Sequence, residues 1–215
     1  MMMTRRHIGL ALGMATAVAL TAGALIASAR PANADIVTNE TAPAFTGQTS
    51  AGETISLEDF AGKTVVLEWT NHGCPFVQKH YDQSFQNMQG LQADAASDEI
   101  VWLSVISSAP GKQGHVTPEE ANDLTTSRGA TPAAIILDES GDLGRLYGAK
   151  TTPHMYVITG DGTLVYQGAI DSIKSASTSD IPDAENYVTA ALDALATGAP
   201  VETAQTRPYG CSVKY

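Results

Sequence analysis

The sequence predicts an α/β fold in which a mixed central β-sheet carries helices on both faces. Three observations carry this expectation. Short β-branched apolar runs alternate with segments of helical spacing, giving the order β-α-β-α-β-α. The runs at 64–70 and 99–108 are β-branched and predominantly apolar, as buried strands are. A β-hairpin and one amphipathic helix then close the domain, so part of the sheet must be antiparallel.

Taken in order, residues 35–63 lack long apolar runs and are rich in turn formers, so an N-terminal hairpin or arm is expected there. "TVVLEWT" (64–70) is the first buried strand, bounded by a turn and then by Gly73. From Pro75 the period changes. Phe76, Val77, His80, Tyr81, Phe85, Met88 and Leu91 recur at helical intervals, and Pro75 suits a first helical turn. "EIVWLSVISS" (99–108) is a second buried strand. "TPEEANDLTTSRG" opens with Thr117, Pro118 and two acids, the signature of a helix start. "AAIILDESGDLGRLYGA" reads as a strand and a short helix around Leu143 to Tyr147, and "HMYVITGDGTLVYQGAI" as a hairpin turning at Asp161 and Gly162. "DAENYVTAALDALATG" is the closing helix, stopped by Gly198 and Pro200.

Residues 1–34 stand outside this pattern. "MMMTRRH" supplies a positive start, "IGLALGMATAVALTAGALIA" an apolar stretch, and Ala32, Asn33 and Ala34 a small-residue cleavage site. An export signal is therefore expected, with a mature chain beginning near Asp35. Arg5 and Arg6 loosely resemble a twin-arginine signal, and ordinary secretion fits equally. The alternative is an uncleaved anchor, since the apolar stretch could span a bilayer. The cleavage site argues for removal, hence for a periplasmic or otherwise exported protein without stable membrane insertion. Residues 35–197 are read as one domain, and 198–215 as a C-terminal tail. Without Arg5, Arg6 and Arg30, nine Lys and Arg face twenty-three Asp and Glu, so the mature chain carries a net charge of −14. Such a surface repels nucleic acid and anionic membranes, and neither is an expected partner.

The chain holds two cysteines, Cys74 and Cys211. In an exported protein this even count permits one bridge. Cys74 falls where a strand passes into a helix. Unpaired N–H groups and the positive end of the helix favour a thiolate there, and His72 and Lys79 can add positive charge. Such a sulfur attacks disulfides or peroxides. The alternative is an inert buried cysteine.

The strand "VVLEW", the loop "TNHG", Cys74 at a helix start and "TTPHMYVI" before a hairpin together resemble the thioredoxin-like superfamily. More narrowly, "APAFTG…GETISLEDFAGKTVVLEWTNHGCPF" resembles its redoxin branch, which includes exported thiol-disulfide oxidoreductases and peroxiredoxins. The resemblance spans 41–197. It implies a thioredoxin-like fold and a cis bond between Thr152 and Pro153. It also implies that Thr152 and Pro153 line a substrate groove facing Cys74, with His72 on the loop beside it. Glu68 falls where such enzymes keep a buried carboxylate that relays protons, while period-two alternation allows it to face water instead. Two departures stand out. Val77 occupies the place of a second, vicinal cysteine, and Asn71 and Leu67 occupy the peroxiredoxin positions of Thr and Pro, with Thr70 displaced by one.

Cys211 is the other candidate for the missing partner. Thirteen steps from Gly198, at about 3.3 Å each, reach roughly 43 Å, which lets a tail that starts on the far side return to Cys74. Pro208, Tyr209 and Tyr215 give that tail stiffness and aromatic surface for docking. An interchain disulfide or a purely structural clamp are the alternatives. The expected activity is thiol-disulfide exchange with protein thiols or disulfides, using Cys74, Cys211 and Glu68 and an external thiol electron donor. Thiol-dependent peroxide reduction is the second reading, and a non-catalytic binding module the third. His72, Cys74, His80 and His154 could converge on a metal, but no ligand pair has the spacing of a known metal motif, so neither metal nor cofactor is expected.

Overall fold

The computed structural model describes residues 36–215, so the expected export signal lies outside the described residues. Strands β1 (Glu40–Thr41), β2 (Thr46–Gln48) and β3 (Thr54–Ser56) form the N-terminal arm, with β2 and β3 paired as a hairpin. Then come β4 (Val65–Trp69), α1 (Pro75–His80), α2 (Asn87–Ser97), β5 (Val101–Ile106), α3 (Pro118–Ser127), β6 (Ala134–Leu137) and α4 (Asp142–Leu146). The C-terminal part adds β7 (Thr151–Thr152), β8 (His154–Ile158), β9 (Thr163–Gly168), α5 (Tyr187–Ala196) and β10 (Cys211–Ser212).

The main sheet has six strands in the order β1-β9-β8-β4-β5-β6. The pairs β4–β5 and β5–β6 are parallel, whereas β4–β8, β8–β9 and β9–β1 are antiparallel. This is the mixed sheet expected from crossovers followed by a hairpin. Because β4 lies inside the sheet, both its faces need cover. Val65, Leu67 and Trp69 join Phe45, Leu103, Val105, Ile136, Leu143 and Tyr147 in one core layer, below the N-terminal arm and α4. Val66 points the other way, with Trp102, Met155 and Val157, into a layer closed by Val77 of α1, Met88 and Leu91 of α2, and Val188 and Ala191 of α5. Each fully buried side chain of this size contributes roughly 1.5–3 kcal/mol through loss of apolar surface to water.

The helical pattern after Pro75 suggests one helix reaching Leu91, but the structure has two. α1 ends at His80, and Gln86 takes a left-handed conformation, φ 48°, before α2 begins. Asp82 supplies a reason: its carboxylate accepts the N–H of Ser84 at 2.9 Å, a local bond that competes with the helix ladder. Gln89 Nε2 then donates to the free carbonyl of Tyr81 at 3.0 Å. α3 starts as the sequence predicts. Thr117 accepts the N–H of Glu120, and the Glu120 carboxylate accepts the N–H of Thr117 at 2.7 Å, a reciprocal cap. Among the described residues no helix is long and apolar enough to cross a membrane.

Candidate active site

The sheet presents the end of β4 to a tight turn. Asn71 is buried there, and its side-chain oxygen accepts the N–H of Gly73 at 2.9 Å while its carbonyl accepts the N–H of Cys74 at 3.0 Å. That turn delivers Cys74 as the cap of α1, in extended conformation (φ −86°, ψ 122°), with Pro75 in the first helical position. The Cys74 side chain is 0 % exposed. In its thiol form it donates to the carbonyl of Thr152 at 3.2 Å. The peptide between Thr152 and Pro153 is cis.

Cys211 comes to the same residue from the far end of the chain. β10 lies antiparallel to β7, with Cys211 opposite Thr152 and Ser212 opposite Thr151. The distant tail thus returns to the strand beside Cys74, and both cysteines are free thiols. Burial disfavours a Cys74 anion, but hydrogen bonds from the side chain and backbone of Cys211 and from the Val77 N–H outweigh it. The Thr152 hydroxyl, buried and otherwise unpartnered, adds to them. The net result is a Cys74 thiol more acidic than an ordinary cysteine. Cys211 moves the opposite way, up to about 11, through burial, through its hydrogen bond to Cys74 and through the negative charge there. The pair therefore shares one acidic sulfur and one proton donor.

The two cations expected to favour the thiolate do not serve it. Lys79 is buried and directs its ammonium to Asp171 at 2.9 Å and to the Ile173 carbonyl at 3.4 Å. His72 has its proton affinity lowered by burial and by Arg128, so it is biased toward the neutral form. Its carbonyl accepts from Arg128 at 3.0 Å and Gln78 at 3.1 Å, and its side chain faces a small cleft lined by Thr70, Tyr81 and Arg128, on the α3 side of the turn. Hydrogen bonding from the tail takes the place of charge.

Glu68 does not face water; it is 0 % exposed in the layer below α1 and α2. Its carboxylate accepts from Tyr81 at 2.9 Å, Trp102 at 2.9 Å, Ser104 at 3.1 Å and Gln92 at 3.3 Å. Burial raises its pKa above the ordinary carboxylate value, against the pull of these donors. None of these hydrogen bonds goes to Cys74 or Cys211. Sequence reading missed this ring of donors, although Trp102 and Ser104 alternate on β5, the strand paired with Glu68. It also missed Asp171, which takes Lys79 and the hydroxyl of tail residue Tyr209 and lies 3.8 Å from His80. A lone aspartate after a hairpin gives no such signal.

The histidines do not assemble. His80 is buried against Asn87 and Asp171, while His154 packs at a tilt against Tyr156, ring centroids 4.5 Å apart. Among the described residues no three His, Cys, Asp or Glu side chains converge on a metal-sized site.

Solved structures share this architecture. An uncharacterized conserved protein from Geobacillus kaustophilus aligns with TM-score 0.69 and 25% identity over 83% of this chain and 92% of its own. A hypothetical protein from Sinorhizobium meliloti 1021 aligns with TM-score 0.68 and 22% identity over 85% and 96%. The thioredoxin domain of a thiol-disulfide oxidoreductase from Bacteroides vulgatus aligns with TM-score 0.50 and 18% identity over 69% and 98%, a likeness of fold. No curated protein matches the chain. The fold is thus thioredoxin-like, and a family model covers the stretch from the N-terminal arm through most of β9, with Cys74 and Pro153 inside it. With residues 38–167 matched, the chain belongs to the AhpC/TSA family.

Proposed function

We propose that the protein is an exported thiol-disulfide oxidoreductase in which Cys74 is the nucleophile and Cys211 the resolving thiol. The observation that carries this reading is the meeting of both cysteines at Thr152, one donating to its carbonyl and the other paired opposite it in β10. In the reductive direction, the Cys74 thiolate attacks one sulfur of a substrate disulfide, forming a mixed disulfide and releasing the other sulfur as a thiolate that takes up a proton. Cys211 then loses its proton and attacks the Cys74 sulfur. The substrate's second sulfur leaves and is protonated, and a Cys74–Cys211 disulfide remains. An external thiol donor returns that disulfide to the dithiol form.

The acidities fit this order. Part of what raises the pKa of Cys211 is the anion on Cys74, and that anion is gone once Cys74 is in the mixed disulfide. Thr152 and Pro153 form the rim on which the substrate chain is placed, with His72 on the neighbouring turn. Glu68 is the buried carboxylate of the site, and its raised pKa is the direction a proton relay requires. Peroxide reduction lacks the same support, because Asn71, at the position of the peroxiredoxin threonine, spends its side chain on Gly73 and Gln113.

The test compares insulin reduction and peroxide consumption by the mature protein, Cys74→Ser and Cys211→Ser. Disulfide reduction is expected to vanish in Cys74→Ser, and Cys211→Ser is expected to accumulate a mixed disulfide visible on non-reducing gels. Peroxide consumption without disulfide reduction, or two free thiols under every redox condition, overturns the reading. Mass spectrometry of the exported protein is expected to find an N-terminus near Asp35.

A further inference from the structure

The segment that carries Cys211 also closes the site. Thr206 and Ala204 pair with Gln167 on the outer part of β9, and the chain then crosses to β7. Tyr209 is buried, with its hydroxyl on Asp171 and its ring edge-on to Phe76 at 5.8 Å. Gly210 follows at φ 130°, where a Cβ would collide with the Thr152 carbonyl oxygen. Only glycine lets the backbone come this close. Cys211 and Ser212 pair with β7, the Val213 N–H reaches the Lys150 carbonyl at 3.2 Å, and the Lys214 carbonyl accepts the N–H of Ala109 at 2.9 Å. The Tyr215 ring packs against Gly141 and Gly144, with Arg145 4.6 Å above it. Two aromatic residues thus flank a short strand that pairs with β7 through backbone hydrogen bonds, the two forming a ribbon apart from the main sheet.

The tail is in direct contact with the sulfur, through the hydrogen bonds of Cys211 to Cys74. With the tail in place Cys74 is 0 % exposed, so an external sulfur can reach it only after part of its cover moves. The tail's contact with β7 is only a two-residue pairing, while Arg207 and Ser212 stay exposed.

We propose that the tail is an exchangeable internal occupant of the β7 edge that gates Cys74, and that the segment of another protein admitted in its place is extended and of the same pattern: an aromatic residue, a glycine, then a cysteine. The proposal rests on the reading of Cys74 as the reactive sulfur, and it names the substrate class of that sulfur. Tail and substrate compete for the β7 edge, so docking sets the fraction of the protein open to substrate, and redocking of the tail brings Cys211 back to the mixed disulfide.

The test uses the mature chain carrying Cys211→Ser, in which Cys74 is the one thiol. Adding Gly210→Ala is expected to raise the rate of Cys74 alkylation by iodoacetamide at least about tenfold, because only the undocked fraction reacts. A synthetic peptide of residues 206–215 bearing Cys211→Ser, added in excess, is expected to restore protection. The same peptide with Gly210→Ala is expected not to. Tyr209→Phe, which removes only the hydroxyl on Asp171, serves as a second variant of gentle structural effect and should raise the rate severalfold. An unchanged rate in both variants overturns the proposal, as does protection by neither peptide or by both alike. Alkylation reads access and not turnover. A protein that alkylates as described but reduces no disulfide keeps the exchangeable tail and loses the oxidoreductase reading.

Discussion

Cys74 owes much of its acidity to Cys211, which arrives from the opposite end of the domain, and this makes the effect separable by mutation. Replacing Cys211 with alanine removes the S–H donor while leaving the backbone, so the Cys74 titration midpoint is expected to rise toward that of an ordinary thiol. Ultraviolet absorbance of the thiolate, or the pH dependence of alkylation, measures it. A midpoint unmoved by Cys211→Ala would mean that the helix start alone holds the anion. Glu68 gives a second case. In Glu68→Gln one acceptor oxygen is lost and an N–H₂ group faces donors from Tyr81, Trp102, Ser104 and Gln92. Stability is expected to fall by about 1–3 kcal/mol, the cost of leaving buried donors unpaired, read as a lower urea midpoint. A relay role adds a changed shape of the pH–turnover profile, whereas a supporting role moves the midpoint alone. Cys74 stood out as a candidate because a thiol at a strand-to-helix junction is a local pattern, and Thr152 and Pro153 became candidates through the family resemblance. The donors around Glu68 were not, since they come from separate elements.

Elements differ in how much of their boundaries local chemistry decides. The start of α3 was readable because Thr117 and Glu120 satisfy each other's N–H groups within four residues. Thr117→Ala is accordingly expected to cost about 1 kcal/mol, seen as a small drop in the chemical denaturation midpoint, with alkylation of Cys74 unaffected. The break between α1 and α2 was not readable from periodicity. Apolar residues continue at helical intervals across it, while the stop is enforced by Asp82 bonding Ser84 and by Gln89 reaching back to Tyr81. The return of the tail to Cys74 was foreseeable only as a matter of reach. Its docking register, set by Gly210 at Thr152 and by the two tyrosine anchors, depends on surfaces that exist only once the sheet is formed.

For the molecule as a whole, two buried histidines set how it meets acid. His80 is fully buried, and burial, aided by Lys79 and opposed by Asp171, lowers its pKa to about 4. His154 is lowered to about 3 by burial and by Lys150. Both folded values lie below the unfolded value of about 6.5, so the unfolded chain takes up protons first. The stability that neutral histidines contribute is complete above that unfolded value and is lost as pH falls toward about 4 and then about 3. Each histidine contributes a slope of at most about 1.4 kcal/mol per pH unit, so across two units the pair can remove several kcal/mol, a large fraction of a typical 5–15 kcal/mol. Two terms oppose this loss. Protonating surface carboxylates reduces the self-repulsion of a strongly acidic chain, net charge −11 over the full sequence, and Glu68, whose folded pKa is raised, binds its proton before it would when unfolded. Exposed charges in high dielectric repel weakly, and Glu68 is one group against two, so the histidines should win. The melting temperature of the mature protein is therefore expected to fall steadily between about pH 6.5 and pH 4, and the fall should be shallower in His154→Gln once each protein is referred to its own value at pH 7. A melting temperature that is flat or rising through that interval would show that relief of surface repulsion outweighs the buried imidazoles.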